Sequence, residues 1–468
     1  MTKTTVVLED LGQMSGADEF KNDFRKEVPQ ILIDSAIKRI FDHFGGATKL
    51  LKTSKRVFIK PNGIDFKPFC YTNPAVLEAI IRYFFDNGAL KIYLIENSTQ
   101  SNYTRLVYTV NGYNDLCKRT GTKPVYLDEE KTFPFTFRGK KAVNEDPNGY
   151  NLTTFEMPKT VVRELIERKD ENLYINVPKL KTHSMAGVTL GIKNQWAFPR
   201  HIDRKFDHNY NLHDKLVDVL EYIQPDFTLI DGIVGTIHGH YPLISRQDRC
   251  IVPFRVLIGG LDVVAVDIIG ARVFGLGLSD VPHLRIACER GMGAGIKDMN
   301  DINVVGDLNR FTIKYPFEIL QEFPPDVNMV RGKELACREG CVNNPLMTLQ
   351  MLWLDFGGKG TFDLVLGKGF DLNVIDSLKG PVLIAGHCAI KEVGQRLIHR
   401  LGRKNVYCSD GCNNLAATST SLFRLMHVSP RKLVPLGLLQ SLSTLLKAKW
   451  HRSKAKAPPL LAKIFKYT

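Results

Sequence analysis

Nowhere in its 468 residues does the chain run to the eighteen or so uncharged apolar residues that a bilayer-spanning helix requires. Its best approach, residues 256–278, is interrupted by Asp262, Asp267 and Arg272. The opening MTKTTVVLEDLG has no apolar h-region, so it is not expected to act as a secretory signal. A phosphate-binding P-loop, a GxSxG elbow and an HExxH helix are all missing, which removes the nucleotide, serine-hydrolase and zincin motifs. Missing too is a ferredoxin-type run of closely spaced cysteines. The nine cysteines are an odd number spread over a long chain, and in a reducing cytoplasm they point to thiols or metal ligands over a disulfide framework.

What is present belongs to a globular protein: 44% hydrophobic and 24% charged residues. The length predicts two or three domains. The net charge of +14 is unevenly placed. From Arg431 onward there are nine Lys or Arg and no Asp or Glu, leaving 54 basic against 49 acidic residues, or +5, before it. The basic excess therefore sits in a tail.

Short β-branched runs alternate with helical patterns through most of the chain. Ile33, Ile37, Ile40, Phe41 and Phe44 recur at helical spacing and stop at Gly45-Gly46. RVFIK reads as a strand, TNPAVLEAIIRYFFDNG as a helix with Pro74 in its first turn, and KIYLIE as the next strand. NLYINV, FTLID and FRVLIGG follow in the same manner. The alternation predicts an α/β fold, a mainly parallel sheet with helices on both faces. Residues 131–160 read as an irregular insertion, and residues 322–336 as a linker closing a main domain of residues 1–321. FDLVLG, PVLIAG, a helix, NVYC and another helix then predict a second, smaller α/β domain over residues 337–430, followed by the basic tail, residues 431–468.

Strand after strand in the main domain ends in polar residues. Lys60 and Asn62 follow one strand, Glu96 and Ser98 the next; Lys179, Lys181 and His183 follow a third, and Asp231 ends a fourth. Ligands of open parallel sheets bind outside the carboxyl ends of the strands. The expected site is therefore a mixed-charge pocket for a small anion. Lys60, Lys181, His183 and Asp231 are its candidate catalytic groups, with Lys179, Asn62, Glu96, Ser98, Lys193 and Asn194 as ligand contacts. Lys60, Lys179 and Lys181 suit a carboxylate or phosphate, and His183 could move a proton near neutral pH. His201, His208 and His213 read as surface residues of a polar segment, while His238 and His240 lie on a loop close to the expected edge.

The stretches IKPNGID, TNPAVLEAII, NVPKLKTHSMAGVTLGIKNQW, LIDGIVG, DVVAVDIIGARVFG and PHLRIACERGMG occur in an order that resembles domain-of-unknown-function family three hundred and sixty-two, over about residues 55–300. Val263 and Asn73 depart from the usual pattern. The reaction of that family is not established. Many of its members are described as iron–sulfur proteins, so the resemblance implies a cluster.

The C-terminal cysteines are the place for one. CREGCVNN at residues 337–344 is nearly repeated as CSDGCNN at residues 408–414, and Cys388 lies between them. Cys337, Cys341, Cys388, Cys408 and Cys412 thus offer five candidates for the four thiolates of a cluster or a structural zinc. The C-x3-C spacing names neither metal. Cysteines at helix N-termini are expected to have lowered pKa values. An iron–sulfur cluster of the 4Fe-4S kind is expected through the resemblance, with zinc as the alternative.

Two enzymatic readings follow: a redox enzyme or electron-transfer partner, and a non-redox Lys/His acid–base enzyme with a structural metal. A third reading rests on the tail. Leu438, Leu439, Leu442, Leu445, Leu446 and Trp450 recur at helical spacing, with Lys447, Lys449, Arg452, Lys454 and Lys456 close behind. Such a helix can lie on an anionic membrane surface or dock on the body. Nucleic acid is disfavoured because aromatic residues for base stacking are few there. The expected partners are a small anionic ligand, a redox protein and an anionic membrane surface. The expected location is cytoplasmic, with a peripheral position at the inner face of the membrane through the tail.

Overall fold

The computed structural model describes residues 3–100, 102–138 and 153–455. In chain order its strands are β1 (Thr4–Asp10), β2 (Arg56–Pro61), β3 (Lys91–Glu96), β4 (Lys123–Tyr126), β5 (Thr132–Thr136), β6 (Thr154–Pro158), β7 (Leu173–Val177), β8 (Lys179–His183), β9 (Gly187–Thr189), β10 (Phe227–Thr236), β11 (Ile251–Val252), β12 (Val256–Gly260), β13 (Ile302–Val305), β14 (Val327–Arg331), β15 (Phe362–Leu366), β16 (Val382–Ala385) and β17 (Val406–Ser409). The main sheet has the row order β13-β1-β12-β10-β7-β2-β3-β4, and only β12 runs against its neighbours in that row.

Side chains alternate across the sheet, and the two faces feed two cores. Val57 and Ile59 of β2 pack on the side of the helices Gln30–His43 and Pro74–Asp86, whereas Phe58 packs on the other, with the helices Leu212–Tyr222 and Val263–Val273. The helix after β2 begins where the sequence places it: Asn73 caps it by accepting from the Ala75 N–H at 2.9 Å, with Pro74 behind. The mainly parallel α/β architecture is therefore present.

The second sheet, β14-β15-β16-β17, is parallel throughout. Its first strand corrects the sequence reading, because Val327–Arg331 lies inside the segment taken as a linker and pairs along its whole length with β15. Two prolines ahead of a short strand gave that stretch a loop composition. The insertion at residues 131–160 is also more ordered than expected. β5 and β6 form an antiparallel ribbon with Phe135 against Phe155, and residues 139–152 lie outside the described residues.

The carboxyl ends of the two sheets face each other. The Asn343 amide donates to the Ser184 carbonyl at 2.9 Å, the Cys412 N–H to the Lys205 carbonyl at 3.1 Å, and the Gln100 amide to the Asn413 carbonyl at 2.8 Å. Lys205 also pairs with Asp410 at 2.6 Å. The tail returns to the main domain through the helix Leu438–Trp450, whose Leu445 and Ala448 bury against Tyr103 and Leu106.

Candidate functional site

The parallel register brings the expected edge residues together. Lys60 lies opposite Asn176 of β7, and Asp231 of β10 lies opposite Lys179. Two of the lysines are already paired within the protein. Lys60 donates to Glu96 at 2.8 Å, and Lys179 to Asp231 at 2.9 Å, with all four side chains buried. These carboxylates are further committed to backbone. Glu96 accepts from the Gly63 N–H at 2.6 Å, and Asp231 from the Asn73 N–H at 2.7 Å. Asn194 joins the same lattice, accepting from the Asn62 amide at 2.8 Å and donating to Asn176 at 2.8 Å, while the Ser98 hydroxyl donates to the Gly63 carbonyl at 2.7 Å. Lys60, Lys179, Asp231, Glu96, Asn62, Asn194 and Ser98 thus hold the strand ends together in one buried network. Buried charges of this kind are satisfied internally because an unpaired one is too costly.

Three other cations have no such partner. No described carboxylate lies in ion-pair contact with Lys181, Lys193 or Arg204. Lys181 is fully buried and donates only to the Cys70 carbonyl at 2.7 Å. Burial pulls its pKa down to about 8, and that of Lys193 to about 7, where the charges of Lys181 and Arg204 add to the effect. Arg204 shares the Ser98 carbonyl with His201, at 2.9 and 3.0 Å, and burial lowers its pKa to about 10.

Around these cations stand histidines. His183 lies ring to ring on His240, 3.8 Å between centroids, with His208 at 6.3 Å. His183 Nδ1 accepts from the N–H groups of Met185 and Ala186 at 3.1 and 3.2 Å, which leaves its proton on Nε2. Burial, then the charges of neighbouring groups, hold His183, His208 and His240 well below the ordinary imidazole range. Burial thus favours the neutral form of His183, with Nε2 as its donor. Among buried atoms without a hydrogen-bond partner are His208 Nε2, His240 Nδ1, Arg204 Nε, Trp196 Nε1 and Ser184 Oγ. A group of buried donors and cations without acceptors is suited to an anion. The lysines with pKa near 7 and 8 can also exchange protons at neutral pH.

Arg204 went unrecognised in sequence, and His201, His208 and His213 were read as surface residues; all four are buried. The polar composition of residues 200–213 concealed that this segment is sandwiched between the two sheets. His238 turns away, with Nδ1 against the Glu318 carbonyl at 3.1 Å.

The same segment closes the cysteine centre. Cys337, Cys341, Cys388 and Cys412 line one cavity with Asn209 and Tyr210, immediately after His208 in the chain. The cavity is nearly closed, with a volume of about 10 Å³. Cys337 follows β14, Cys388 begins the helix after β16, and Cys412 precedes the helix after β17, so the parallel sheet gathers them at one edge. Gly386, at φ 101°, fits beside Cys341 only because it has no side chain; a Cβ there would stand 2.6 Å from the Cys341 Cβ.

Cys408 is excluded. It lies within β17, on the face that packs with Val365 and Val393, and its sulfur is 4.0 Å from Arg403 Nη1. The two sequence repeats are therefore not equivalent: the first supplies both its cysteines and the second only Cys412. The thiols of the first pair are shifted upward. Burial, reinforced by the other sulfurs, raises Cys337 to about 12 and Cys341 to about 11. Among the described residues, no three His, Cys, Asp or Glu side chains converge on a single ion position.

Residues 57–272 match the family described as "Domain of unknown function (DUF362)", and the resemblance read from the sequence stands over that segment. The motif PHLRIACERGMG lies beyond it. A thylakoid-associated protein of Synechocystis sp. is 23% identical over 265 residues, which are 53% of this chain and 72% of that protein. A crystal structure of a Thermotoga maritima protein aligns with 72% of this chain and 70% of its own, at 11% identity and a TM-score of 0.32.

Proposed function

We propose that the chain is an iron–sulfur protein in which Cys337, Cys341, Cys388 and Cys412 hold a four-iron cluster, beside an anion site made by Lys181, Lys193 and Arg204. The observation that carries this reading is the convergence of four cysteines, from three separate loops of the second sheet, on one cavity. Four thiolates are the complement of such a cluster. A four-iron cluster would require the sulfurs to turn apart, because little space is open at the cavity's centre. When bound, the cluster supplies one-electron transfer. The chain's own residues do the rest. Asn209 and Tyr210 cover the cavity, His208 links it to the cationic cluster, and the three unpaired cations hold negative charge close by. The reading is a redox enzyme or an electron-transfer protein.

Iron and acid-labile sulfide, measured on anaerobically prepared protein, test it. Cys341→Ser and Cys412→Ser should each lose most of the iron, and Cys408→Ser should keep it. Equal iron in all three variants would overturn the assignment.

Lys193 and Lys181, poised near neutrality, favour a second reading: acid–base chemistry on a small carboxylate or phosphate, with a structural metal at the cysteines. Stoichiometric zinc in place of iron would support it.

A membrane-surface role is supported by the tail helix. Its apolar residues divide between two faces. Leu445 is buried on the body, while Leu439, Leu446 and Trp450 are 83%, 62% and 85% exposed, with Lys447 and Lys449 at their sides. Among the described residues no helix is long and apolar enough to cross a membrane, so the contact would be peripheral. Lys456, part of the same basic run, lies outside the described residues. The association of the Synechocystis relative with thylakoids points the same way. Leu439→Glu with Trp450→Glu should abolish co-sedimentation with vesicles of anionic lipid; unchanged sedimentation would remove this reading.

A further inference from the structure

A second cavity, of about 390 Å³, lies where the main domain, the second domain and the start of the tail meet. Its walls are apolar: Met347 and Met351 from one helix, Phe423 from another, Phe356 from the turn after the first, and Leu433 and Val434 from the tail. The volume is within the range of small-molecule sites. None of the strand-end residues or cysteines described above lines it.

The polar groups at its rim define the occupant. Lys67 is already paired with Asp355 at 2.9 Å. Asp65 accepts from the N–H groups of Phe66 and Lys67 at 2.7 and 3.0 Å and from the Asn102 amide at 2.8 Å. Lys67 and Asp65 are thus committed within the protein, and Lys432 is exposed to solvent at the mouth, so a charged head in the interior would lack a buried counter-ion. Two phenols also line it, Tyr71 and Tyr241, both kept protonated by burial, the second in a hydrogen bond with Thr99. A phenol O–H donates to a neutral oxygen. Phe66, Phe356 and Phe423 add flat surfaces for a ring.

The position of the cavity narrows the class further. Its two principal wall helices, Asn343–Leu354 and Leu415–Leu425, start at the cysteine centre. Leu415 is three residues from Cys412, so their Cα atoms are at most about 11 Å apart. The third wall, residues 430–435, leads directly into the helix that exposes Leu439, Leu446 and Trp450. One side of the cavity therefore adjoins the thiols, and the other adjoins the surface suited to lipid.

We propose that this cavity binds a neutral, lipid-soluble quinone, its ring carbonyl accepting from Tyr71 or Tyr241 and its aliphatic chain lying against Met347, Met351 and Leu433. The choice of a quinone over another neutral amphiphile rests on the cluster reading above; the existence of an apolar ligand site does not.

The test is a titration of the full chain, without lipid, with a benzoquinone bearing a ten-carbon chain, followed by quenching of intrinsic fluorescence and by calorimetry. One saturable site per chain is expected. Leu433→Arg, on the tail wall, and Ser419→Phe, which fills the cavity from its helix, should each weaken binding by roughly tenfold or more, since one buries an unpaired charge and the other removes the space. Full affinity in Leu433→Arg with native circular dichroism would overturn the proposal. So would absence of saturable binding in the parent, or equal binding of decanoate, whose head is charged. Titration of Cys412→Ser separates the two claims. Binding retained while iron is lost supports the cavity on its own, and iron retained in a parent that binds no quinone overturns the cavity alone.

Discussion

Lys60 and Lys181 are both fully buried at the same sheet edge, yet the same substitution should affect them in opposite ways. Lys60→Met leaves Glu96 buried with its ion-pair contact gone and N–H donors as its hydrogen-bond partners. Breaking a buried pair from one side costs about 3–5 kcal/mol. For a unit of this size that is on the order of 10 °C in melting temperature. Lys181 has no acid partner, and its pKa is lowered from 10.5 to about 8. Keeping it charged therefore costs about 3 kcal/mol at neutral pH. Lys181→Met removes that cost together with the bond to the Cys70 carbonyl, a charged hydrogen bond of about 1.5–3 kcal/mol. The expected change is between none and a gain of about 2 kcal/mol. Thermal denaturation followed by calorimetry at pH 7 makes the comparison. Adding Glu96→Gln to Lys60→Met should recover part of the loss, because the orphaned charge disappears. Sulfate or phosphate should raise the melting temperature of the parent more than that of Lys181→Met if the unpaired cations receive an anion. Equal destabilisation by Lys60→Met and Lys181→Met would refute the distinction between a structural and a ligand-directed lysine.

Acid should destabilise iron-free protein. Burial lowers His201 and His213 from 6.5 to about 3 and about 4, so below pH 6.5 the unfolded chain binds protons that the native state refuses. By pH 5 each contributes a loss of about 2 kcal/mol. Asp267, raised by burial to about 7, acts in the opposite sense and recovers about 2 kcal/mol over the same interval. His183, His208, His240 and His283 add to the loss, so the melting temperature should fall from pH 7 to pH 5; a rise would contradict these assignments. Gly386→Ala should lower iron content without touching a cysteine, because its methyl would overlap Cys341; full iron would mean that this loop does not shape the centre. Gly402→Ala, where an added Cβ meets nothing within 4 Å, serves as the control for strain at positive φ, and it should retain iron.

Periodicity and composition by themselves determined a good deal. Alternating β-branched runs and amphipathic helices specified a mainly parallel α/β sheet, since a right-handed crossover leaves such a pattern few other solutions. The paired cysteine motifs marked a metal centre worth testing, and the leucines from Leu438 marked a helix. The tertiary structure decided which chemistry each residue can take part in. Lys60 and Lys181 are both strand-end lysines in sequence, and only the positions of Glu96 and Asp231 show that Lys60 and Lys179 are paired while Lys181 is not. Cys337 and Cys408 begin nearly identical motifs, but Cys408 is still inside its strand and the pleat directs it to the opposite face. His208 lies in a polar stretch that reads as surface, and it becomes buried because two separate sheets close over it. Local pattern follows from the chain's own periodicity, whereas the state of a charge or a thiol depends on neighbours that are distant in sequence. For that reason the fold was legible before the site.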